Sequence, residues 1–89
     1  MRIKKGFVIE KVADSYLACA TGALAKEFSG FVRLNSTGAF LWKMIDDGAE
    51  SAEELCVALV KEYEISEQTA RADIDLFLKK LRDNGILEE

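Results

Sequence analysis

The spacing of apolar residues changes character near position 35. Before it, they fall in short runs with β-rich composition; after it, they recur at helical spacing. Phe7-Val8-Ile9-Glu10-Lys11-Val12 is partly alternating and predicts a strand over 7–12. Ala13-Asp14-Ser15 supplies a turn, and Tyr16-Leu17-Ala18-Cys19-Ala20-Thr21 predicts a second strand. Residues 22–30 form a longer connection, with glycine at both ends and apolar Leu24 and Phe28 inside. Phe31-Val32-Arg33-Leu34 predicts a short third strand. Because short connections favour sequential neighbours, the simplest arrangement is a three-stranded antiparallel meander.

The third strand runs without a linker into a helix start. Asn35 or Ser36 is placed to accept the first unpaired backbone N–H groups, and Phe40, Leu41, Met44 and Ile45 supply an apolar face. This helix is expected over 36–46, with Gly48 suited to a left-handed stop. Ser51-Ala52-Glu53-Glu54 has the form of a capping box, in which Ser51 and Glu54 satisfy each other's N–H groups. Ala52, Leu55, Cys56, Leu59, Val60 and Tyr63 then follow at helical spacing. A third helix is expected from Ser66 to about Asn84, with core stripe Ala70, Ile74, Phe77 and Leu81 and Gly85 as its stop. The fold class is therefore α+β: an N-terminal three-stranded antiparallel sheet followed by three helices, as one domain over residues 1–89.

Composition narrows the function. The formal net charge is −4 over 89 residues, and an acidic balance is a poor footprint for phosphate neutralisation. No run approaches the length of a membrane span, and no signal-peptide pattern follows the basic start, which leaves the cytoplasm as the expected compartment. Histidine is absent, which removes the commonest acid–base group and metal ligand. Cys19 and Cys56 are expected to be buried, reduced thiols. The carboxylate pairs sit at helix ends or on polar faces, and Ser36, Ser51 and Ser66 read as caps. No glycine-rich phosphate loop or metal-ligand spacing occurs. No enzyme activity, cofactor or metal is expected.

Two binding modes remain. The second and third helices, joined around Glu64-Ile65, resemble a helix-turn-helix, so a winged-helix DNA-binding regulator is the alternative reading. Against it, Arg71, Lys79, Lys80 and Arg82 are balanced by Glu67, Asp73, Asp75 and Asp83 on the would-be recognition helix. The other mode is capture of an extended peptide at the free edge of the third strand. Val32 and Leu34 are expected to carry edge donors. One flank of the third helix brings Leu78 together with Arg71, Asp75 and Arg82, a combination able to hold an apolar side chain and pair acidic ones. The opposite flank, with Leu76 and Ala72, is its rival.

The segments from Phe31 through Trp42, then Asp47-Gly48, Leu59 through Tyr63, Thr69 through Ile74, Phe77-Leu78 and Leu81 through Leu87 resemble the PqqD-like family, also called RiPP recognition elements. The resemblance implies a winged-helix-like fold. It also implies a non-catalytic peptide chaperone that binds the leader of a ribosomally made precursor peptide and delivers it to a modifying enzyme, often a radical S-adenosylmethionine enzyme. Neither nucleic acid nor membrane is then a partner. In the family the leader adds as a strand beside the third strand, against the third helix. By position this implicates Phe31, Val32, Arg33, Leu34, Arg71, Ile74, Asp75, Leu78 and Arg82. The connection over residues 22–30 departs from a tight hairpin and is placed to cover or gate that edge.

Overall fold

The computed structural model describes residues 1–28 and 30–88; Ser29, inside the connection, and Glu89 lie outside the described residues. Strand β1 (Arg2–Ile3) is followed by β2 (Phe7–Val12), β3 (Ser15–Ala20), the single-turn helix α1 (Leu24–Glu27) and β4 (Phe31–Leu34). Helices α2 (Ser36–Asp46), α3 (Ala52–Tyr63) and α4 (Glu67–Asp83) follow, and β5 (Leu87–Glu88) ends the described chain. Strands β2, β3 and β4 form the expected antiparallel meander in that order. The first hairpin turns within two residues, Ala13 and Asp14, and Ala13 takes the left-handed conformation this tight turn needs (φ 54°).

The register aligns Val8 with Cys19 and Cys19 with Phe31, and Ile9 with Ala18 and Ala18 with Val32. Side chains alternate across a strand, so these rows lie on opposite faces. The Ala18 row faces inward, with Ala18, Val32 and Leu34 buried. The Cys19 row faces outward, and Val8 and Phe31 are exposed on it. Cys19 is only half-buried, unlike the expectation for both thiols, whereas Cys56 is buried in α3. The reason is register: a one-residue offset from Ala18 puts Cys19 on the outer face.

Each long helix begins on a side chain that accepts a backbone N–H. Asn35 Oδ1 accepts from Gly38 N at 2.7 Å, Ser51 Oγ from Glu54 N at 3.2 Å and Ser66 Oγ from Thr69 N at 3.1 Å. The reciprocal half of the box differs from expectation: Glu54 Oε1 takes the N–H of Glu50, not that of Ser51. Gly48 and Gly85 have positive φ just beyond α2 and α4, as helix stops require. The core gathers Leu41 and Ile45 of α2, Leu55 and Leu59 of α3, and Ala70, Ile74, Phe77 and Leu81 of α4.

Two features were not legible in the sequence. Strand β1 pairs antiparallel with β5, Ile3 opposite Leu87, and Lys4 N donates to the Ile86 carbonyl at 2.8 Å. This closes the two ends of the chain together over the buried side chains of Ile3 and Ile86. The connection also places α1 at the β2 side of the sheet. Leu24 packs at Gly6, and the Phe28 ring meets Phe7 edge-on at 5.2 Å, while Phe7 also meets Trp42 edge-on at 5.5 Å. The described part of the connection is thus anchored beside the opposite edge strand by its two apolar residues, and does not cover β4.

Candidate functional site

Strand β4 pairs with β3 on one side, and among the described residues no strand pairs with its other side. Burial along β4 alternates: Phe31 and Arg33 are exposed, Val32 and Leu34 buried. The orientation of its backbone follows from one contact. Lys80 Nζ, on α4, donates to the carbonyl oxygen of Arg33. The Arg33 carbonyl therefore points at α4 and away from β3. In an antiparallel ladder the N–H and C=O of one residue point to the same side, and successive residues alternate. Phe31 and Arg33 thus present the free edge, whereas Val32 and Leu34 bond to Ala18 and Tyr16 of β3. This corrects the expectation that Val32 and Leu34 carry edge donors: their side chains build the core and their backbone holds the sheet.

Beside this edge lies a cleft of about 180 Å³. Its floor is Leu34, Leu41 and Phe77, its rim at the start of α2 is Asn35, Thr37 and Gly38, and its far wall is Asp73, Leu76 and Lys80 of α4. Gly38 permits the close approach of α2 to β4, since a Cβ there would stand 3.2 Å from Asn35 Oδ1 and 3.4 Å from Leu34 Cβ. Leu76 is 69% exposed, an isolated large apolar side chain on a polar flank. Asp73 is half-buried and Lys80 exposed.

The five α4 residues singled out by the sequence do not line this cleft. Ile74 and Leu78 are buried in the core, at 2% and 5% exposure, and do not line the cleft. Arg71 points to α3: Nη2 lies 2.7 Å from Glu53 Oε2, and Nε donates to Glu67 Oε1 at 2.9 Å. Hydrogen bonding to Glu53 and then Glu67 raises its pKa further above the usual arginine range. Asp75 and Arg82 are exposed on the same side as Arg71, because residues at positions 71, 75 and 82 fall within about 40° of one another at 100° per residue. The rival flank is the one beside β4. Asp73, Leu76 and Lys80 recur there at i, i+3 and i+7, and the cue that distinguishes them is the exposed leucine among polar neighbours. Which flank meets β4 is set by how α4 packs on α3, and no local pattern carries that information.

A second, larger hollow of about 480 Å³ lies between the inner sheet face and α2, lined by Phe7, Ile9, Tyr16, Phe40, Trp42 and Tyr63 among others. Its aromatic rings are mutually packed: Phe40 meets Tyr63 edge-on at 5.6 Å, and the Tyr63 hydroxyl donates to the Ser36 carbonyl at 3.4 Å. Among the described residues no group of three potential metal ligands comes together, and no helix is long and apolar enough to cross a membrane.

A meander followed by a three-helix unit whose last helix stands beside the β4 border defines a small α+β domain of winged-helix-like build. Within that class, the model of the family described as Coenzyme PQQ synthesis protein D (PqqD) matches residues 20–87, and the chain belongs to that family. A solved structure of TbiB1 in complex with the TbiA(beta) leader peptide is similar in fold, with a TM-score of 0.75 over 99% of this chain and 95% of that one, at 23% sequence identity. No curated protein matches the chain in sequence.

Proposed function

We propose that this protein is a non-catalytic peptide-binding domain, acting as one unit over the whole chain. It holds the leader segment of a ribosomally synthesised precursor as an added strand on β4 and presents it, in the cytoplasm, to a modifying enzyme of the radical S-adenosylmethionine class. The observation that carries this reading is the open edge of β4 facing a cleft walled by α4. Membership of the PqqD family and the fold shared with TbiB1, itself solved with a leader peptide, support it.

The energetics divide the work between backbone and side chains. The N–H and C=O groups of Phe31 and Arg33 offer up to four hydrogen bonds, each worth roughly 0.5–1.5 kcal/mol net. That sum is comparable to the cost of lost rigid-body freedom, at least about 4 kcal/mol. Backbone pairing alone therefore aligns a peptide without holding it. An apolar anchor seated against Leu34, Leu41, Leu76 and Phe77 contributes about 1.5–3 kcal/mol more and sets the preference for sequence. On this geometry the peptide-contacting set is Phe31, Arg33, Leu34, Thr37, Asp73, Leu76, Phe77 and Lys80, with Leu41 beneath them. Ile74 and Leu78 support the wall from behind, and Arg71, Asp75 and Arg82 lie outside it.

The test is titration of the leader of a precursor encoded beside this protein's gene, followed by backbone amide shifts. Perturbations are expected at Phe31, Arg33, Leu76 and Lys80. Saturable binding that moves only residues around Phe40 and Tyr63, or no binding at all, would reject the reading.

A further inference from the structure

The contact between Lys80 and the Arg33 carbonyl has a consequence for which peptides the edge accepts. We propose that Lys80 selects for an acidic side chain in the peptide, by capping the edge acceptor without peptide and passing its ammonium to a peptide carboxylate when a strand is added. This deepens, and rests on, the strand-addition reading above.

Pairing with β4 requires the Arg33 carbonyl to accept a peptide N–H along the edge, the direction from which Lys80 approaches. The ammonium then gives up the in-line position and keeps, at most, the second lone pair of that oxygen. The floor of the cleft is apolar (Leu34, Leu41 and Phe77, with Leu76 beside them), its rim carries the uncharged Asn35 and Thr37, and its one carboxylate is Asp73. Asp73 sits seven residues earlier on the same flank, about 10.5 Å along the axis at 1.5 Å per residue, so it does not take over the charge in place. Among the described residues Lys80 has no ion pair, whereas its neighbour Lys79 is already held by Asp83 at 2.7 Å. An ammonium displaced over an apolar floor gains most from a carboxylate brought by the ligand, through a charge-assisted hydrogen bond.

The register places that carboxylate. Directly opposed residues in an antiparallel pair point to the same face. A peptide residue opposite Arg33 therefore points outward with it, and residues opposite Val32 or Leu34 point inward toward α4. The acidic residue belongs at one of those inward positions, beside the apolar anchor. The class of ligand is thus an extended peptide carrying Asp or Glu adjacent in space to a buried apolar side chain.

A displayed library of random twelve-residue peptides, selected on the full chain, on Lys80→Met and on Arg33→Pro, tests this. Peptides recovered on the parent protein and lost on Arg33→Pro are those using the β4 edge. They are expected to share an acidic position, and the enrichment there is expected to vanish on Lys80→Met while the apolar position persists. In one such peptide, Glu→Gln should weaken binding to the parent about three- to fivefold, the range of an exposed charge pair, and to Lys80→Met less than twofold. Edge-dependent peptides without an acidic position, or an equal Glu→Gln loss on both proteins, overturn the role of Lys80 and leave strand addition standing. Recovery of no peptide sensitive to Arg33→Pro overturns strand addition and the selection with it.

Discussion

Arg71 of α4 and Glu53 of α3 meet at 2.7 Å, and Glu67 completes the clasp from one turn earlier on α4 at 2.8 Å. The arrangement ties the two helices together at the side of α4 that faces away from β4. It takes the guanidinium out of reach of a peptide on the strand edge. Replacing Arg71 with Glu is therefore expected to lower the melting temperature slightly, more at low than at high ionic strength, because the groups are exposed and screened. Peptide affinity should change less than twofold. Thermal melts at two salt concentrations, with a binding titration on the same protein, check both halves.

Proline separates the two sides of β4. Arg33→Pro deletes an N–H that points to the free edge, so the domain should fold, with native-like circular dichroism, and lose binding by at least about tenfold through a missing hydrogen bond and steric exclusion of the added strand. Val32→Pro deletes an N–H that bonds to β3 and disturbs a side chain only 4% exposed, so it should unfold the sheet. A folded Val32→Pro protein that has lost binding, beside an Arg33→Pro protein that unfolds, would mean that the strand is turned the other way.

Leu76→Asp places a charge at the one apolar position of the wall that α4 forms with Asp73, Leu76 and Lys80. The side chain is largely exposed, so stability should shift by no more than about 0.5 kcal/mol, as for surface substitutions generally. An anchor resting on it would lose about 1.5–3 kcal/mol, or at least tenfold in affinity. Calorimetric titration of Leu76→Asp against Gln68→Asp, exposed on the Arg71 side of the same helix, distinguishes a local effect from a general charge effect.

Asn35 joins β4 to α2 through one accepted N–H at 2.7 Å. Asn35→Ala should cost about 1 kcal/mol, within the usual range for an N-cap, which lowers the melting temperature by roughly 4–8 °C in a domain of this size. Asn35→Asp keeps the acceptor and should retain most of that stability. Equal losses in both variants would show that the cap is not what Asn35 contributes.

The β1–β5 pair supplies a further test. Ile3 is buried against the core, and Ile3→Asp would strand an unpaired carboxylate there at a cost of several kcal/mol. Denaturant unfolding should show a large fall in midpoint, whereas Arg2→Ala, on the exposed face of the same strand, should behave like the parent.

Much of this molecule was written in local patterns. Alternation marked β2 and β4, the 3.6-residue stripe marked α3 and α4, and Ser51, Ser66 and the pair Asn35-Ser36, of which the structure uses Asn35, announced where helices begin, because caps and periodicity depend on near neighbours. The single turn of α1 escaped notice because four residues carry no periodicity. The β1–β5 pair escaped because Arg2-Ile3 and Leu87-Glu88 become strands only by finding each other across the whole chain.

By itself, then, the order of residues determined a meander, three capped helices, their buried stripes and a short strand free to stand at the border, since each of these is a property of neighbours in the chain. Tertiary packing decided the rest. With the buried stripe of α4 in the core, α3 lies on one side of it and β4 on the other, which leaves Asp73, Leu76 and Lys80 facing β4 and Arg71 paired with Glu53 on the α3 side. The reach of Lys80 to Arg33 identifies which backbone groups lie on the open side. A helix has no preferred rotation of its own; only the partner it packs against chooses which of two flanks becomes the wall of a site.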